Sequence, residues 1–395
     1  MFQSNTQPFT LTKEAPSSRG LFKLVIAGTV AITAAVVATL CLYQNEPAHS
    51  LAFYGAEMGE KETAFLHFLA RYGKTYATKS DMSGRFEVFS KNFDAVQAHN
   101  SLGGSFTKGI NQFSDMTEEE FSGLYGAHGL KPKAVKTRPS LRDSKDKHDK
   151  DDDDSDDDGD LPELVDWHKD GKTTVPSDQG GCGSCWAFTT AATMESAYAI
   201  KTNSTPERLS VQYLLDCDTV NFACGGGWML DAYDFTKKHG LIKEEQYKSK
   251  YTGRKEKCAD PSDVKERMHN DDQKEEDSIT VQRLKELVAK QPMGVAMHSN
   301  PKCLMGYHTG VVREEDCKCS DEAKQTVNHA VTVVGYGKNT QNNQDECPEY
   351  WKIRNSWGPN WGEEGYFKLC IAKDGSKLPT GTCQVLSYVQ YPLFN

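Results

Sequence analysis

The sequence predicts an α+β body in two parts, a mostly helical half over residues 161–273 and a mainly β half over 274–395. Three observations carry this. Trp186–Met194 is an apolar run that follows a Gly-rich loop and reads as a helix. Val327–Gly337 and Tyr350–Gly358 read as buried strands that end in Gly-containing turns. Upstream, residues 60–125 carry an amphipathic helical pattern with Phe65, Phe68, Leu69 and Tyr72 at helical spacing, which marks a separate helical unit. The chain has 395 residues and a net charge of −10, a moderately acidic globular composition that argues against nucleic-acid binding.

Taken in order, the chain opens with Lys13, Arg19 and Lys23, followed by an uncharged apolar stretch from Leu24 to Tyr43. Its length of about 20 residues suits a bilayer span and exceeds a signal-peptide core. Flanking positive charge then predicts a cytoplasmic tail over 1–23, a type II signal anchor over 24–43 and a translocated body. A cleaved signal peptide is the alternative, and either way the body enters an oxidising lumen. After the helical unit, residues 126–160 form a charged linker without apolar periodicity, including the acidic run Asp151–Asp160. Asp154, Asp156, Asp158 and Gly159 copy the opening of a calcium-binding loop, but its twelfth position is Val165 and no helices frame it, so a solvated linker is the better reading. Crowded carboxylates have raised pKa values, so acidification would discharge this run and loosen what lies before it. No metal-ligand cluster, nucleotide-binding Gly loop or internal repeat is evident, and neither cofactor nor metal is expected.

The chemistry centres on Gln179-Gly180-Gly181-Cys182-Gly183-Ser184-Cys185-Trp186. A thiol in the first turn of a helix feels the positive end of the helix dipole, which favours thiolate. A CxxC redox or metal pair of Cys182 and Cys185 is the competing reading; Cys317-Lys318-Cys319 is CxC, so nothing completes such a site. Downstream, His329 lies in one strand-like run and Asn355 in the other. The separation of Cys185 and His329 is 144 residues, and the order Cys, His, Asn is that of a thiol-imidazole-amide constellation.

On these residues the chain resembles the papain family (cathepsin L-like) of cysteine proteases from about Leu161 to Asn395. The resemblance implies a papain-like two-domain fold, a helical half plus a β-barrel-like half, with the active site in the cleft between them. It implies Cys185 as nucleophile, His329 as its proton acceptor and donor, and Asn355 orienting the imidazole. The Gln179 side chain and the Cys185 N–H would bind the oxyanion, and Trp357 would shield the Asn355–His329 bond. Asp81-x3-Arg85-x3-Phe89-x2-Asn92-x3-Val96-x3-Asn100 resembles the ERFNIN pattern of the inhibitory propeptide, with Asp81 and Val96 as departures. Gly109, Asn111, Phe113 and Asp115 fit the family's GxNxFxD motif. Spacing puts Arg85, Phe89 and Asn92 on one helix face. Residues 60–125 are thus expected to be an inhibitory prodomain, the protein's own intramolecular inhibitor, whose C-terminal part would run through the cleft in reverse.

Position matching extends to substrate binding. Gly227 would pair with the substrate backbone, and Trp228 and Met229 would wall the S2 pocket, lined further by Ala296, Val327 and Ala330 with Tyr388 at its floor. No acidic side chain falls at that floor, so Leu, Val or Phe is expected at P2, with the bulk of Tyr388 shortening the pocket. Gly225 and Asn328 stand where the family usually has Asn and often has Asp. Of the 12 cysteines, Cys41 lies in the apolar stretch and Cys185 is kept free, leaving ten for five disulfides. The resemblance implies Cys182–Cys224, Cys217–Cys258 and Cys383 with either Cys317 or Cys319. The remaining member of that pair is a partner for Cys303, and Cys347 with Cys370 would staple two strands around residues 356–365. Asn203-Ser204-Thr205 is a glycosylation sequon in an apparent loop.

The function expected is a cysteine endopeptidase made as a self-inhibited, membrane-tethered zymogen, acting on protein and peptide substrates in a lysosome- or vacuole-like compartment, with secretion as the alternative. An acyl transferase or peptide ligase using the same thioester, and a non-catalytic membrane-anchored inhibitory protein, are the competing classes.

Overall fold

The computed structural model describes residues 59–125, 161–259, 261–319, 327–340, 346–371 and 378–395. The expected tail, signal anchor and Asp-rich linker lie outside the described residues. Among the described residues, no helix is long and apolar enough to cross a membrane. Residues from Ala64 to Asn395 form one compact unit.

The helical prodomain begins with α1 (Glu60–Tyr72) and α2 (Lys79–Ser101). Thr78 caps α2: its hydroxyl accepts from Asp81 N–H at 3.0 Å while the Asp81 carboxylate accepts from Thr78 N–H at 3.1 Å. Asp81, a departure from the propeptide pattern, therefore serves as the N3 acid of a capping box. Phe65, Phe68 and Phe89 form the small core between α1 and α2, with Phe89 fully buried. Burying one such ring contributes about 1.5–3 kcal/mol. After α2 come a short strand, β1 (Phe106–Lys108), and a helix, α3 (Glu118–Tyr125).

The body opens on β2 (Val165–Asp166). Its helical half holds α4 (Cys185–Lys201), α5 (Val211–Cys217) and α6 (Met229–His239). Apolar residues surround α4 on nearly every side, and the helix is buried accordingly, packed around Trp186, Met194, Leu214, Tyr233 and Ile242. Ser210 caps α5 through Tyr213 N–H at 3.1 Å.

The β half follows with β3 (Asp272–Asp277), α7 (Val281–Lys290), β4 (Met293–Met297), α8 (Pro301–Leu304), β5 (Tyr307–Val312) and α9 (Glu314–Cys317). It ends with β6 (His329–Lys338), β7 (Glu349–Arg354), β8 (Tyr366–Cys370) and β9 (Tyr388–Leu393). Strand order is β1-β5-β8-β7-β6-β4-β9-β3, with β2 also on β6. Among the described strands, only β5 and β8 pair in parallel. The residue 273/274 boundary drawn from sequence falls inside β3, because that strand is acidic and polar and lacks the apolar alternation that marks a strand.

Two features lock the strands. Gly335 of β6 faces β2 so closely that a Cβ there would sit 2.1 Å from Val165 O. Disulfides join Cys182–Cys224, Cys217–Cys258, Cys303–Cys317, Cys319–Cys383 and Cys347–Cys370. Cys319, rather than Cys317, is thus the partner of Cys383. Both ends of the body cross between halves: β2 pairs with β6, and Phe394 packs edge-on against Tyr198 of α4, centroids 5.6 Å apart.

Candidate active site

The site is assembled by the loop before α4 docking onto the turn after β7. Gln179 N–H donates to Ser356 O at 2.8 Å, and Asp178 bridges to Trp357. The Cys182–Cys224 disulfide and the Gly183 N–H bond to Cys224 O at 3.1 Å tie the same loop to the segment before α6. Cys182 is therefore a structural bridge, and Cys185 is the free cysteine among the described residues.

Cys185 is the first residue of α4, behind an N-cap at Ser184. It is buried beside Ala330, the residue after His329. Burial pushes the Cys185 thiol up to about 11, against backbone N–H groups of Ala330, Trp186 and Cys185 itself that favour the thiolate. His329 opens β6, is buried, and has its Nε2 2.8 Å from Asn355 Oδ1. Asn355 Oδ1 also accepts from Ser356 N–H at 2.8 Å, which fixes the amide so that its oxygen meets the ring. His329 Nε2 is then the protonated nitrogen, and Nδ1, buried without a hydrogen-bond partner among the described residues, is left as a proton acceptor. Burial pulls the imidazole down to about 4, and the bond to Asn355 opposes this. Burial thus favours the neutral thiol and the neutral imidazole, while the helix terminus favours the thiolate.

The Gln179 side chain is fully buried, donates from Nε2 to Cys182 O at 2.9 Å and accepts at Oε1 from Ser356 Oγ at 2.6 Å. Because a carbonyl only accepts, this pins the amide nitrogen toward the loop that leads into Cys185. Ser356 and Tyr251, whose hydroxyl donates to Gln179 O at 2.7 Å, were not singled out from sequence. Ser356 lies between two residues that were; nothing local marks Tyr251. Trp357 is buried with its ring near-parallel to His329, centroids 5.1 Å apart.

The substrate-binding candidates divide. Trp228, Ala296 and Val327 form one apolar cluster, with Tyr388 packed on it. Met229 and Ala330 are fully buried in the core of the helical half, so they fall outside that cluster. Met229 begins α6 and is fully buried. A Cβ on Gly227 would lie 2.4 Å from Asn221 Oδ1 and 2.7 Å from Trp186 Cδ2, so packing alone requires glycine there. Asn328 accepts from Ser299 N–H at 2.7 Å. Asn203 sits in the turn after α4, exposed, with a φ of 51°.

The prodomain docks beside this site. β1 pairs with β5, Gly109 N–H donates to Gly306 O at 2.9 Å, and Asn111 Nδ2 donates to Met305 O at 2.7 Å. Ser105 Oγ donates to Asp316 at 2.7 Å and Lys108 Nζ to Lys302 O at 2.6 Å. Gln112, in an unspecified position of its motif, donates to Trp357 O at 2.6 Å. Phe113 and Phe121 set their rings edge-on to Trp357, at 6.2 and 5.1 Å. The helical face behind them is held as its spacing predicted. Arg85 bonds Glu120 at 2.7 Å and Asp115 O at 3.0 Å, and Asn92 bonds Ser114 O and Met116 O at 2.9 and 2.8 Å. Asp115 receives Lys74 and Tyr76, and Asn100 Nδ2 donates to Lys108 O at 2.9 Å. The close sulfurs of Cys317, Cys319 and Cys383 are all in disulfides and offer no metal site.

A buried thiol at a helix start, an amide-anchored imidazole and a docked inhibitory segment define a thiol hydrolase held as a proform. The chain belongs to the papain family: the sequence profile of the papain family cysteine proteases matches residues 161–393, and that of the cathepsin propeptide inhibitor domain matches 65–121. The chain is similar to the cysteine proteinase RD21A of Arabidopsis thaliana, 31% identical over 376 residues that cover 94% of this chain and 75% of that protein. It is also similar to the oryzain gamma chain of Oryza sativa subsp. japonica, 34% identical with 83% of each chain covered. Among solved structures, a recombinant stem bromelain precursor superposes with a TM-score of 0.69 at 28% identity, covering 85% of this chain and all of that one. The Amb a 11 cysteine protease in its proform gives 0.65 at 25% identity, covering 85% of this chain and 95% of that one. The protein is a cysteine-type endopeptidase carrying its own propeptide inhibitor.

Proposed function

We propose that Cys185, His329, Asn355 and Gln179 carry peptide-bond hydrolysis once the prodomain is released. The observation that carries this is the 2.8 Å contact of His329 Nε2 with Asn355 Oδ1, which leaves Nδ1 free to take a proton. The Cys185 proton passes to His329, the thiolate adds to the substrate carbonyl, and the oxyanion takes the Cys185 N–H and the second N–H of Gln179 Nε2. His329 then protonates the leaving amine, and water activated by the same ring hydrolyses the thioester.

Finer readings belong with this one. Trp228, Met229, Ala296, Val327, Ala330 and Tyr388 make an apolar S2 that prefers an apolar P2 residue, and Gly227 pairs with the substrate backbone. Residues 60–125 are the inhibitory prodomain, 126–160 a solvated linker and 161–395 the peptidase. The N-terminal charges and the apolar stretch over 24–43 support a type II signal anchor, and the sequon at Asn203 supports a glycosylated lumenal body in an acidic, lysosome- or vacuole-like compartment. The test is peptide hydrolysis by the acid-matured chain, with Cys185→Ala as control. Hydrolysis by wild type alone supports the assignment; hydrolysis that survives in the variant refutes it.

A further inference from the structure

Trp228 belongs to the helical half, but its side chain is held by the β half. Its backbone N–H donates to Asn221 Oδ1 in its own half at 2.7 Å. At the far end of the side chain, the indole Nε1 donates to Glu275 Oε2 on β3 at 2.7 Å. The same carboxylate oxygen receives Gln390 Nε2, and Gln390 Oε1 accepts from Leu230 N–H at 2.9 Å. Glu275 and Gln390 are register partners on β3 and β9, and two residues along the ladder Asp277 pairs with Tyr388. Period-two geometry puts Gln390 and Tyr388 on one face of β9. Anchored at both ends, the indole meets the Tyr388 ring edge-to-face, centroids 5.3 Å apart and planes at 81°. Trp228 is 3% exposed, and the small side chains of Ala296 and Val327 complete the cluster.

We propose that Glu275 is a positioning residue that sets the depth of the S2 pocket: by holding the Trp228 indole against Tyr388 it closes the pocket to aromatic P2 residues and leaves room for short aliphatic ones. This rests on the cysteine-protease reading of the cleft. The carboxylate touches no substrate and acts through the indole, whose N–H would otherwise be buried without a partner or swing out to find water. A carboxylate that served only to join the two halves would lower turnover of every peptide alike. One that positions Trp228 changes the ranking of peptides.

The experiment compares kcat/KM of the acid-matured enzyme on peptides that differ only at P2, carrying Val, Leu or Phe, for wild type, Glu275→Ala, Glu275→Gln, Trp228→Phe and the Glu275→Ala/Trp228→Phe pair. The ratio of Leu to Phe does not depend on how much of a preparation is folded; if Glu275→Ala yields no active enzyme, Glu275→Asp is read in its place. Wild type prefers Leu. Glu275→Ala lowers the Leu/Phe ratio at least about fivefold, chiefly through a lower KM for the Phe peptide. Glu275→Gln, which keeps an oxygen acceptor for the indole, stays close to wild type. Trp228→Phe lowers the ratio as well, and the pair goes no further than either single change. A ratio in Glu275→Ala within twofold of wild type, additive effects in the pair, or a wild-type preference for Phe overturns the inference while the protease reading stands. A matured wild type that cleaves none of the peptides overturns both.

Discussion

Phe121 of the prodomain sets its ring edge-on to Trp357, centroids 5.1 Å apart and planes at 86°, and Trp357 in turn lies 5.1 Å from the His329 imidazole. One aromatic side chain thus stacks on the buried imidazole and also receives the prodomain. Release of the prodomain is therefore expected to loosen the packing on His329.

Phe121→Ala removes a buried ring from that contact, a change that typically costs about 3 kcal/mol and raises the uncovered fraction about 100-fold. The unprocessed chain is expected to show measurable peptidase activity at neutral pH, where wild type is silent. A progress curve with a fluorogenic peptide, started before any cleavage of the propeptide is seen on a gel, reads the effect.

Acid is expected to loosen the prodomain through two carboxylates, Glu120 inside it and Asp316 at its contact with the body. Arg85 and the Thr117 N–H hold the Glu120 carboxyl below its ordinary value of 4.5. Burial raises Asp316, but the bonds from Arg313 and Ser105 outweigh it and leave that carboxyl low as well. A carboxylate depressed in the folded state contributes stability above its unfolded pKa and loses it as pH falls through the folded one. Docking should therefore be undiminished above about pH 5 and weaken progressively below the ordinary carboxylate range. Glu120→Gln removes one of these contributions in advance, so its maturation should begin at higher pH and respond less steeply. Half-times of propeptide loss between pH 3.5 and 6 measure this, and an unchanged profile would exclude Glu120 from the trigger.

The disulfide Cys303–Cys317 encloses the segment that receives most of the prodomain's polar contacts. Gly306 O, Met305 O, Asp316 and strand β5 all lie within it. Closing a loop of this size limits the unfolded ensemble by about 3 kcal/mol. Replacing both cysteines by Ser is expected to speed maturation and to lower the Tm of the proform. The mature enzyme should keep its kcat, because Cys185 and His329 lie outside the loop.

Asn355→Ala removes the acceptor that orients His329. The matured variant should lose on the order of 100-fold in kcat with KM little changed, the pattern of an interaction that matters in the transition state. Equal losses in KM and kcat would point to a collapsed cleft.

Much of the site was legible because its residues announce themselves locally. Cys185 follows a Gly-rich loop, His329 opens an unbroken apolar strand, and Arg85, Phe89 and Asn92 repeat at helical spacing. What the sequence hid are partners made by folding alone. Tyr251 reaches Gln179 from 72 residues away, and Glu275 reaches Trp228 from 47, with no pattern connecting either pair. The boundary between the halves was drawn at 273/274, inside β3, because that strand is polar and carries no apolar alternation. Met229, assigned to the pocket wall by position, begins α6 and is buried in the cluster of the helical half.

The central claim is that Cys185 is the nucleophile and that the docked prodomain keeps it covered. Intact-mass analysis after exposure to an iodoacetamide-type thiol probe tests it most directly, on the proform and on the acid-matured chain. One adduct on Cys185 appearing only after maturation, with peptidase activity lost in proportion, is the predicted result. Activity that persists with Cys185 fully labelled, or equal labelling before and after maturation, would contradict it.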